Sequence, residues 1–399
     1  MKILYIHQYF NTPSMPGSTR SYEFAKRLVA RGNTVHMVTT NWQGKSKLSF
    51  TIESGIKVYW APILYANKMN FLERIWAYLG YIWFTFIIGH KLNYDLIIAS
   101  STPLTVAIPA LWLKRVKRAK MIFEVRDLWP QLPIAIGAIK SPIMIKIAQF
   151  LEKKAYAGSD QIIALSTGMR SVLKNKVPNH KISVVTNLSD NELLNVSDQK
   201  GIYFRKNYPG ISNHPLIVYT GAFGRVNGVI YLVEIAGEIK KINPNIRFLL
   251  AGDGFEKEKM VKRAKELELL NNTLFIKDYL PKDQMPELLS ASTITTSFFI
   301  DLKEMESNSA NKFFDGLAAG KPIMINYGGW QADLLKESGA GFIIPQNNSS
   351  QAAKIINNVL TNDETLNQMK KASRQLSHQF DVNTNFRKFE TVIDNAFNA

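Results

Sequence analysis

The segment from Asn311 to Pro322, NKFFDGLAAGKP, combines residue types that could bind a phosphorylated sugar compound. We expect a helix that carries the carboxylate of Asp315 and ends at Gly-Lys-Pro before a strand. A carboxylate near a helix start can accept hydrogen bonds from ribose hydroxyls, and the free N–H groups there favour a diphosphate. Gly-Lys-Pro is also a routine helix stop, so the segment alone leaves a purely structural interpretation open.

A glycine-rich loop follows a predicted strand further upstream, in the sequence VYTGAFGRVNG. Gly221 and Gly224 would let backbone N–H groups approach a phosphate closely, and the nearby Arg225 would offset its charge. Two other strand ends have a similar character, at Gly252 in LLAGDG and at Tyr279 in FIKDYLP. Loops after strands often carry glycine, so each of these motifs is weak evidence alone. Their order along the chain makes them more informative together.

A third group of polar residues lies in the first half of the chain. The sequence EVRDLWP places Arg126 and Asp127 directly after a predicted strand. Charged side chains at the carboxyl end of a parallel strand more often serve a site than packing. The sequence PGSTR, with Gly17, Thr19 and Arg20, precedes the first helix, although Pro-Gly is first of all a turn signal.

Short apolar runs alternate with helical patterns through the first half of the chain. The first forty residues predict one βαβ unit, whose helix ends at Gly32. Such alternation predicts a parallel, doubly wound sheet. The predicted strands cover residues 3–6, 34–39, 58–61, 96–100, 121–125, 161–165 and 183–186.

The alternation restarts after a polar connection at residues 191–214. The second series of predicted strands covers residues 216–220, 247–250, 273–276, 293–297, 322–325 and 341–344. The predicted fold class is therefore α/β, with two Rossmann-like, doubly wound domains that bind ligands at the carboxyl ends of their strands. We expect a first domain at residues 1–195, a second at 196–380, and a final helix at 381–399 that could pack back on the first domain.

In this order the motifs resemble those of glycosyltransferase family 4. NKFFDGLAAGKP is similar to the family's E-A-x-A-x-G-x-P stretch, and VYTGAFGRVNG is similar to its Gly-Arg…Lys-Gly diphosphate loop. EVRDLWP resembles a stretch of bacterial O-antigen and capsule transferases of the N-acetylfucosaminyl type. The resemblance covers nearly the whole chain, and it implies the GT-B fold, in which two Rossmann-like domains face each other across a cleft.

The resemblance implies a nucleotide-sugar donor, expected to be a UDP-sugar, as co-substrate. The implied donor-binding residues are Gly17, Gly221, Gly224, Asn227, Gly252, Tyr279, Ser307, Ser309, Asn311 and Asp315. The chain departs from the family at Ser307, which stands in place of the first of two glutamates. It also departs at Ala222 and Asn227, which stand in place of the usual arginine and lysine. We therefore expect Arg225 and Lys312 to supply the missing cations and to act in catalysis.

On the acceptor side, the resemblance makes Arg126 and Asp127 catalytic candidates. Arg126 occupies a position where many relatives place a histidine near the transferred sugar, and Asp127 is the candidate for binding an acceptor hydroxyl. We expect His7, Thr19 and Arg20 to bind the acceptor. The family implies retention of anomeric configuration without a metal or other cofactor, through front-face attack by the acceptor hydroxyl.

Two other functions fit parts of the pattern. A nucleotide-sugar epimerase or hydrolase of the same fold would need an internal acid/base set, which the carboxylates of the motifs do not supply well. A nucleotide-sugar-binding partner without activity is compatible with the substitution at Ser307. A dehydrogenase is disfavoured because no G-x-G-x-x-G follows the first strand. The absence of cysteine and the single spacing of the six histidines give no reason to expect a metal site.

The net charge of +17 is concentrated in the first half of the chain. Residues 1–190 hold 25 Lys+Arg and 9 Asp+Glu, whereas residues 191–399 hold 24 and 23. Such an excess can serve solubility, nucleic-acid binding or attraction to an anionic membrane. No helix-turn-helix or aromatic-basic pattern supports nucleic acid, so we do not expect it as a partner.

Two apolar segments, residues 75–89 and 132–151, lie on either side of a basic cluster at residues 114–120. The first is shorter than the ~18–20 residues of a membrane-spanning helix, and the second carries lysines. Apolar helices edged with lysine suit a protein that lies on a membrane, and burial in a large core explains them equally well. With no signal-peptide pattern, we expect a cytoplasmic protein at the inner face of the membrane, acting on a polyprenyl-diphosphate-linked saccharide.

Overall fold

The computed structural model describes residues 1–15, 17–41, 48–64, 69 and 71–398. The chain divides into two compact units. The first comprises residues 1–12, 18–186 and 385–399, and the second comprises residues 13–17 and 187–384. The sequence-based limits at 195 and 380 differ somewhat from these boundaries.

The first unit is built on an eight-stranded sheet with the order β3-β4-β2-β1-β5-β6-β7-β8. Its strands are β1 Lys2–Ile6, β2 Thr34–Thr40, β3 Ser49–Glu53, β4 Ile56–Ala61, β5 Leu96–Ser100, β6 Lys120–Val125, β7 Gln161–Ala164 and β8 Ile182–Val184. All neighbouring strands pair in parallel except β3 and β4, which are antiparallel. The seven predicted strands of this half are confirmed, and β3 is an additional edge strand.

The second unit is built on a six-stranded, wholly parallel sheet with the order β11-β10-β9-β12-β13-β14. Its strands are β9 Leu216–Thr220, β10 Arg247–Ala251, β11 Leu274–Lys277, β12 Ile294–Ser297, β13 Ile323–Ile325 and β14 Gly341–Ile343. All six were predicted, because strands covered by helices on both faces are continuously apolar. The core around β9 and β10 contains fully buried Phe248, Leu250 and Ile217.

Helices connect the strands of both sheets. They are α1 Arg20–Ala30, α2 Phe71–Lys91, α3 Ala107–Lys117, α4 Gln131–Ala135, α5 Pro142–Gly158, α6 Thr167–Leu173, α7 Asn191–Leu194, α8 Asp198–Lys206, α9 Ile230–Ile242, α10 Lys257–Glu266, α11 Met285–Ala291, α12 Asn311–Ala318, α13 Trp330–Ser338, α14 Ser349–Leu360, α15 Asp363–Ser377 and α16 Val382–Asn398. In the first unit, α16 packs on α1, where Phe24 stacks on Phe389 with a centroid separation of 4.5 Å. Within the described ranges, no helix is long and apolar enough to cross a bilayer.

Candidate functional site

The loops after β9 and β10 pack against each other at the carboxyl edge of the second sheet. The backbone N–H of Gly221 donates to the carbonyl of Ala251 at 3.0 Å. A Cβ atom on Gly252 would lie only 1.9 Å from the carbonyl oxygen of Gly221. Gly221 itself has a φ of 130°, which side-chain-bearing residues rarely adopt. Both glycines are therefore required for this close approach of the two loops.

The amine of Lys312 lies beside this loop. Lys312 is the second residue of α12, and its Nζ donates to the hydroxyl of Tyr219 at 2.9 Å and to Oδ1 of Asn227 at 3.3 Å. The same amine lies 4.4 Å from the centroid of the Tyr219 ring. A Cβ atom at Gly221 would lie 3.2 Å from Lys312 Cε, so the lysine stem contacts the loop directly.

No carboxylate of the described residues lies within 4.0 Å of the Lys312 amine. Because no nearby carboxylate offsets the loss of hydration, burial lowers the pKa of Lys312 from 10.5 to about 7. A half-buried lysine without an acidic partner is costly to keep in a folded protein. An anionic ligand beside the Gly221 loop would offset that cost.

Arg225 differs from Lys312 in its surroundings. It begins a short 3₁₀ turn, Arg225–Asn227, and its guanidinium lies 4.3 Å above the ring of Phe255. Both side chains are exposed, and Phe255 is 62% exposed. The cation is thus held over an aromatic face at the rim of the loop, where it can turn toward a ligand without a desolvation cost.

The segment before α12 brings together most of the remaining donor candidates. Ser307 ends a 3₁₀ turn, and Asn311 is the first residue of α12. Ser309 is 4% exposed, and its hydroxyl has no hydrogen-bond partner among the described residues. Its carbonyl accepts from the side-chain amide of Asn187, which fixes the segment. A buried hydroxyl without a partner at a helix start has spare capacity for a ligand.

Asp315 is engaged in an ion pair that the sequence motifs did not indicate. Its Oδ1 lies 2.5 Å from the Nζ of Lys282, and the two side chains are only 14% and 11% exposed. Lys282 follows the FIKDYLP segment, where Tyr279 is 37% exposed. The pair connects the loop after β11 with α12, and one carboxylate oxygen of Asp315 is left for another partner.

In the first unit, His7 and Arg126 meet at the carboxyl ends of β1 and β6. Nη1 of Arg126 lies 3.3 Å from Nε2 of His7. Burial, together with the charges of Arg126 and Arg20, holds the pKa of His7 well below its usual range. The ring is therefore neutral, and because a guanidinium only donates, Nε2 of His7 must accept. Asp127 follows Arg126 in the chain, and its Oδ2 accepts from the hydroxyl of Thr102 at 2.7 Å.

Arg20, which we expect to bind the acceptor, has its side chain in the interior of the first unit. Only 2% of the residue is exposed, and its Nε lies 2.8 Å from Oε1 of Glu124. Its other nitrogens donate to the carbonyls of Val185 and Thr186. Burial opposes the charge on Glu124, but Arg20, Arg126 and a hydrogen bond from Ser100 outweigh it and hold the pKa of this carboxyl below its usual range. Arg20 therefore has structural partners that its place in a loop motif did not indicate, and its contact with an acceptor stays a prediction.

The two other loop candidates lie near the start of α1. Thr19 immediately precedes the helix and is half-buried. Gly17 is exposed and has a φ of 117°, consistent with a turn that needs glycine. Pro16, the other residue of the predicted turn, lies outside the described residues.

Comparison with known families matches both halves of the chain. Residues 17–192 match Glycosyltransferase Family 4, and residues 204–376 match Glycosyl transferases group 1. YtcC of Bacillus subtilis, a protein assigned to the glycosyltransferases, is 25% identical over 179 residues, which are 43% of this chain and 42% of that protein. The chain spans about half the length of the curated relatives it matches.

Solved structures match over nearly the full length. Sucrose-phosphate synthase from Thermosynechococcus elongatus superposes with a TM-score of 0.81 at 14% identity, with 99% of each chain covered. HepE from Anabaena, solved with UDP-glucose, has a TM-score of 0.73 at 17% identity and covers 99% of this chain and 100% of its own. These likenesses concern the fold. Two glycosyltransferase family models thus match successive parts of the chain, and its two parallel-sheet α/β domains have the GT-B fold.

Proposed function

We propose that the chain is a retaining, metal-independent glycosyltransferase. It moves a sugar from a UDP-sugar to a polyprenyl-diphosphate-linked saccharide during synthesis of a bacterial surface polysaccharide such as O-antigen or capsule. The observation that supports this most strongly is the half-buried amine of Lys312 beside the Gly221 loop, which has no acidic partner among the described residues. The match to two glycosyltransferase domains and the UDP-glucose bound by HepE favour a nucleotide sugar as its ligand.

In the proposed reaction, an acceptor hydroxyl attacks the anomeric carbon on the face from which the diphosphate leaves. A carbon–oxygen bond to the acceptor forms, the bond to the diphosphate oxygen breaks, and the hydroxyl proton passes to the departing phosphate. Lys312, Arg225 and the N-terminus of α12 stabilise the negative charge that grows on the diphosphate. Asp127 binds the acceptor hydroxyl, and Arg126 with neutral His7 lies close to the transferred sugar.

The partner surface that we propose for the membrane lies on α2, α3 and α5 of the first unit. Large apolar side chains project from these helices into solvent: Trp76, Leu79, Trp83, Ile87, Ile108, Trp112, Val116, Ile143, Ile147 and Phe150. Exposed lysines and arginines accompany them at Lys91, Arg115, Lys146, Lys153 and Lys154. A protein seldom exposes so much apolar surface unless it binds something, and the cations suit an anionic lipid surface. Peripheral contact with the inner face of the cytoplasmic membrane follows.

The proposal is tested with purified protein, a panel of UDP-sugars and membrane lipids that carry a saccharide. We expect UDP release that depends on the acceptor, together with an elongated lipid-linked product whose new bond has the donor's anomeric configuration by NMR. Product formation should persist in EDTA. Lys312→Ala should lower turnover strongly, whereas Lys371→Ala, an exposed lysine on α15, should leave it unchanged.

The alternatives give other results in the same assay. UDP release without acceptor would indicate a hydrolase, and conversion of the donor to an epimer would indicate an epimerase. Donor binding without any turnover would indicate a non-catalytic partner. Normal turnover in Lys312→Ala would refute the assignment of this residue to the diphosphate.

A further inference from the structure

An apolar groove runs between α2 and α3 on the surface of the first unit. It has a volume of about 560 Å³, and the side chains that line it are Trp83, Phe86, Ile87, His90, Lys91 and Trp112. The two tryptophans are large apolar side chains, yet they are 68% and 45% exposed. A concave surface with walls of this kind suits a hydrocarbon chain.

The helices α2 and α3 pack closely beside the groove. A Cβ atom on Gly89 would lie 2.5 Å from Cδ1 of Leu113, so the absence of a side chain there lets α3 approach α2. Phe86 meets Trp112 edge to face with a centroid separation of 5.1 Å, and the ring of His90 lies 6.0 Å from the same indole. Ring contacts therefore hold the lining side chains in place.

Positive charge lies at one end of the groove. His90 and Lys91 belong to the last turn of α2, and exposed Arg115 lies about one turn after Trp112 on α3. Neither Lys91 nor Arg115 forms an ion pair within 4.0 Å in the part of the chain that the structure describes. Because α2 and α3 lead into the first residues of β5 and β6, this end lies at the amino edge of the sheet.

We propose that the groove binds one acyl chain of an anionic phospholipid, whose phosphate lies against Lys91 and Arg115. The apolar walls would remove the chain from water, and the two cations would pair with the phosphate. The inference rests on the proposed membrane contact, and it adds a defined lipid site to a general surface attraction.

The direction of the groove favours a phospholipid over the isoprenoid tail of the acceptor. The saccharide of an acceptor lipid must reach Arg126 and Asp127, which follow β6 at the carboxyl edge of the sheet. The cationic end of the groove lies at the opposite edge of the same sheet. A lipid held here by its phosphate would therefore keep its headgroup away from those two residues.

The two exposed tryptophans of α2 provide a matched test. Trp76 and Trp83 lie two turns apart on nearly the same helix face and are 72% and 68% exposed, but only Trp83 lines the groove. Binding of dihexanoylphosphatidylglycerol, kept below its micelle concentration, is measured by calorimetry on the full chain. We expect saturable 1:1 binding, at least tenfold weaker in Trp83→Ala and within twofold of wild type in Trp76→Ala. Lys91→Gln should weaken binding of this lipid, but not of dihexanoylglycerol, which has no phosphate.

An equal loss of phosphatidylglycerol affinity in Trp83→Ala and Trp76→Ala would overturn the groove proposal. Binding that does not saturate would also overturn it. Tighter saturable binding of farnesyl phosphate than of the phosphatidylglycerol would show that the occupant is wrongly assigned. Cosedimentation with phosphatidylglycerol vesicles tests the proposed membrane contact separately from the groove. If the protein still binds vesicles but the two tryptophan variants bind the soluble lipid equally well, the groove proposal is wrong and the proposed membrane contact is retained. Sugar transfer to a water-soluble acceptor is measured independently of both.

Discussion

Replacement of Lys312 by methionine should stabilise the free protein and abolish its response to UDP. Methionine keeps the length of the stem that contacts Gly221 and removes the amine, which has no acidic partner among the described residues. Each pKa unit is worth about 1.4 kcal/mol, so the depression from 10.5 to about 7 corresponds to at most roughly 5 kcal/mol. The amine keeps part of its contact with water and two hydrogen bonds, so we expect a gain of about 2 kcal/mol at pH 7.

The pH dependence of this gain follows from the direction of the pKa shift. The folded protein releases the Lys312 proton near pH 7, whereas the unfolded chain keeps it until about pH 10. Between these values the unfolded state binds more protons, so the free energy of unfolding of the wild type rises with pH. The variant lacks this group. Its advantage should be largest at or below pH 7 and should vanish toward pH 10.

Differential scanning calorimetry at pH 7 and pH 9 measures both effects. A change of 2 kcal/mol in a domain of this size corresponds to a rise in Tm of about 4–8 °C. With UDP, the wild type should shift to higher Tm because the ligand binds only the folded state, and the variant should not shift. Lys371→Met, which alters an exposed lysine, controls for loss of charge. A destabilised Lys312→Met that still responds to UDP would refute both the cost of this amine and its role.

Further variants test other parts of the site. Arg225→Ala should lower turnover roughly 100-fold with little change in Tm, because the side chain is exposed; normal turnover would remove it from the diphosphate site. Gly252→Ala should cost about 1–3 kcal/mol or more in urea unfolding, because its Cβ would meet a carbonyl oxygen at 1.9 Å, and unchanged stability would contradict that packing. Glu124→Gln should cost about 3–5 kcal/mol, since it leaves a buried guanidinium without its partner; a cost below 1 kcal/mol would show that the pair is dispensable. Asn227→Lys, added to Lys312→Met, should restore part of the UDP-induced rise in Tm, and no recovery would mean that a cation in the loop cannot replace one from α12.

The two sheets could be predicted because a covered parallel strand is a short, continuously apolar run. The strand that was missed, β3, obeys a different pattern. It is an edge strand in which Phe50 and Ile52 are 51% and 64% exposed, so its apolar residues alternate rather than cluster. A signal did exist in Ser54 and Gly55, whose φ values of 48° and 84° form the two-residue turn of the β3–β4 hairpin.

The candidate site could be located by motif, but the partners of its side chains could not. Asp315 and Lys282 are 33 residues apart, and Arg20 and Glu124 are 104 residues apart. Such pairs are created by the register of strands and by the loops that follow them, which local spacing does not encode. Arg20 illustrates the consequence, since an arginine in a loop motif is buried by tertiary contacts with Glu124.

Lys312 of α12 explains one departure of the glycine loop from the family pattern. Asn227 stands where the family has a lysine, and its Oδ1 accepts a hydrogen bond from the amine of Lys312. A lysine amine thus lies at the side chain of residue 227, although α12 and not the loop supplies it. In the sequence, Asn227 removes a basic residue from the loop. In the folded chain, Lys312 brings a basic group to nearly the same place. The hypothesis of a non-catalytic binding protein therefore gains no support from the missing loop lysine, and it depends on Ser307 alone.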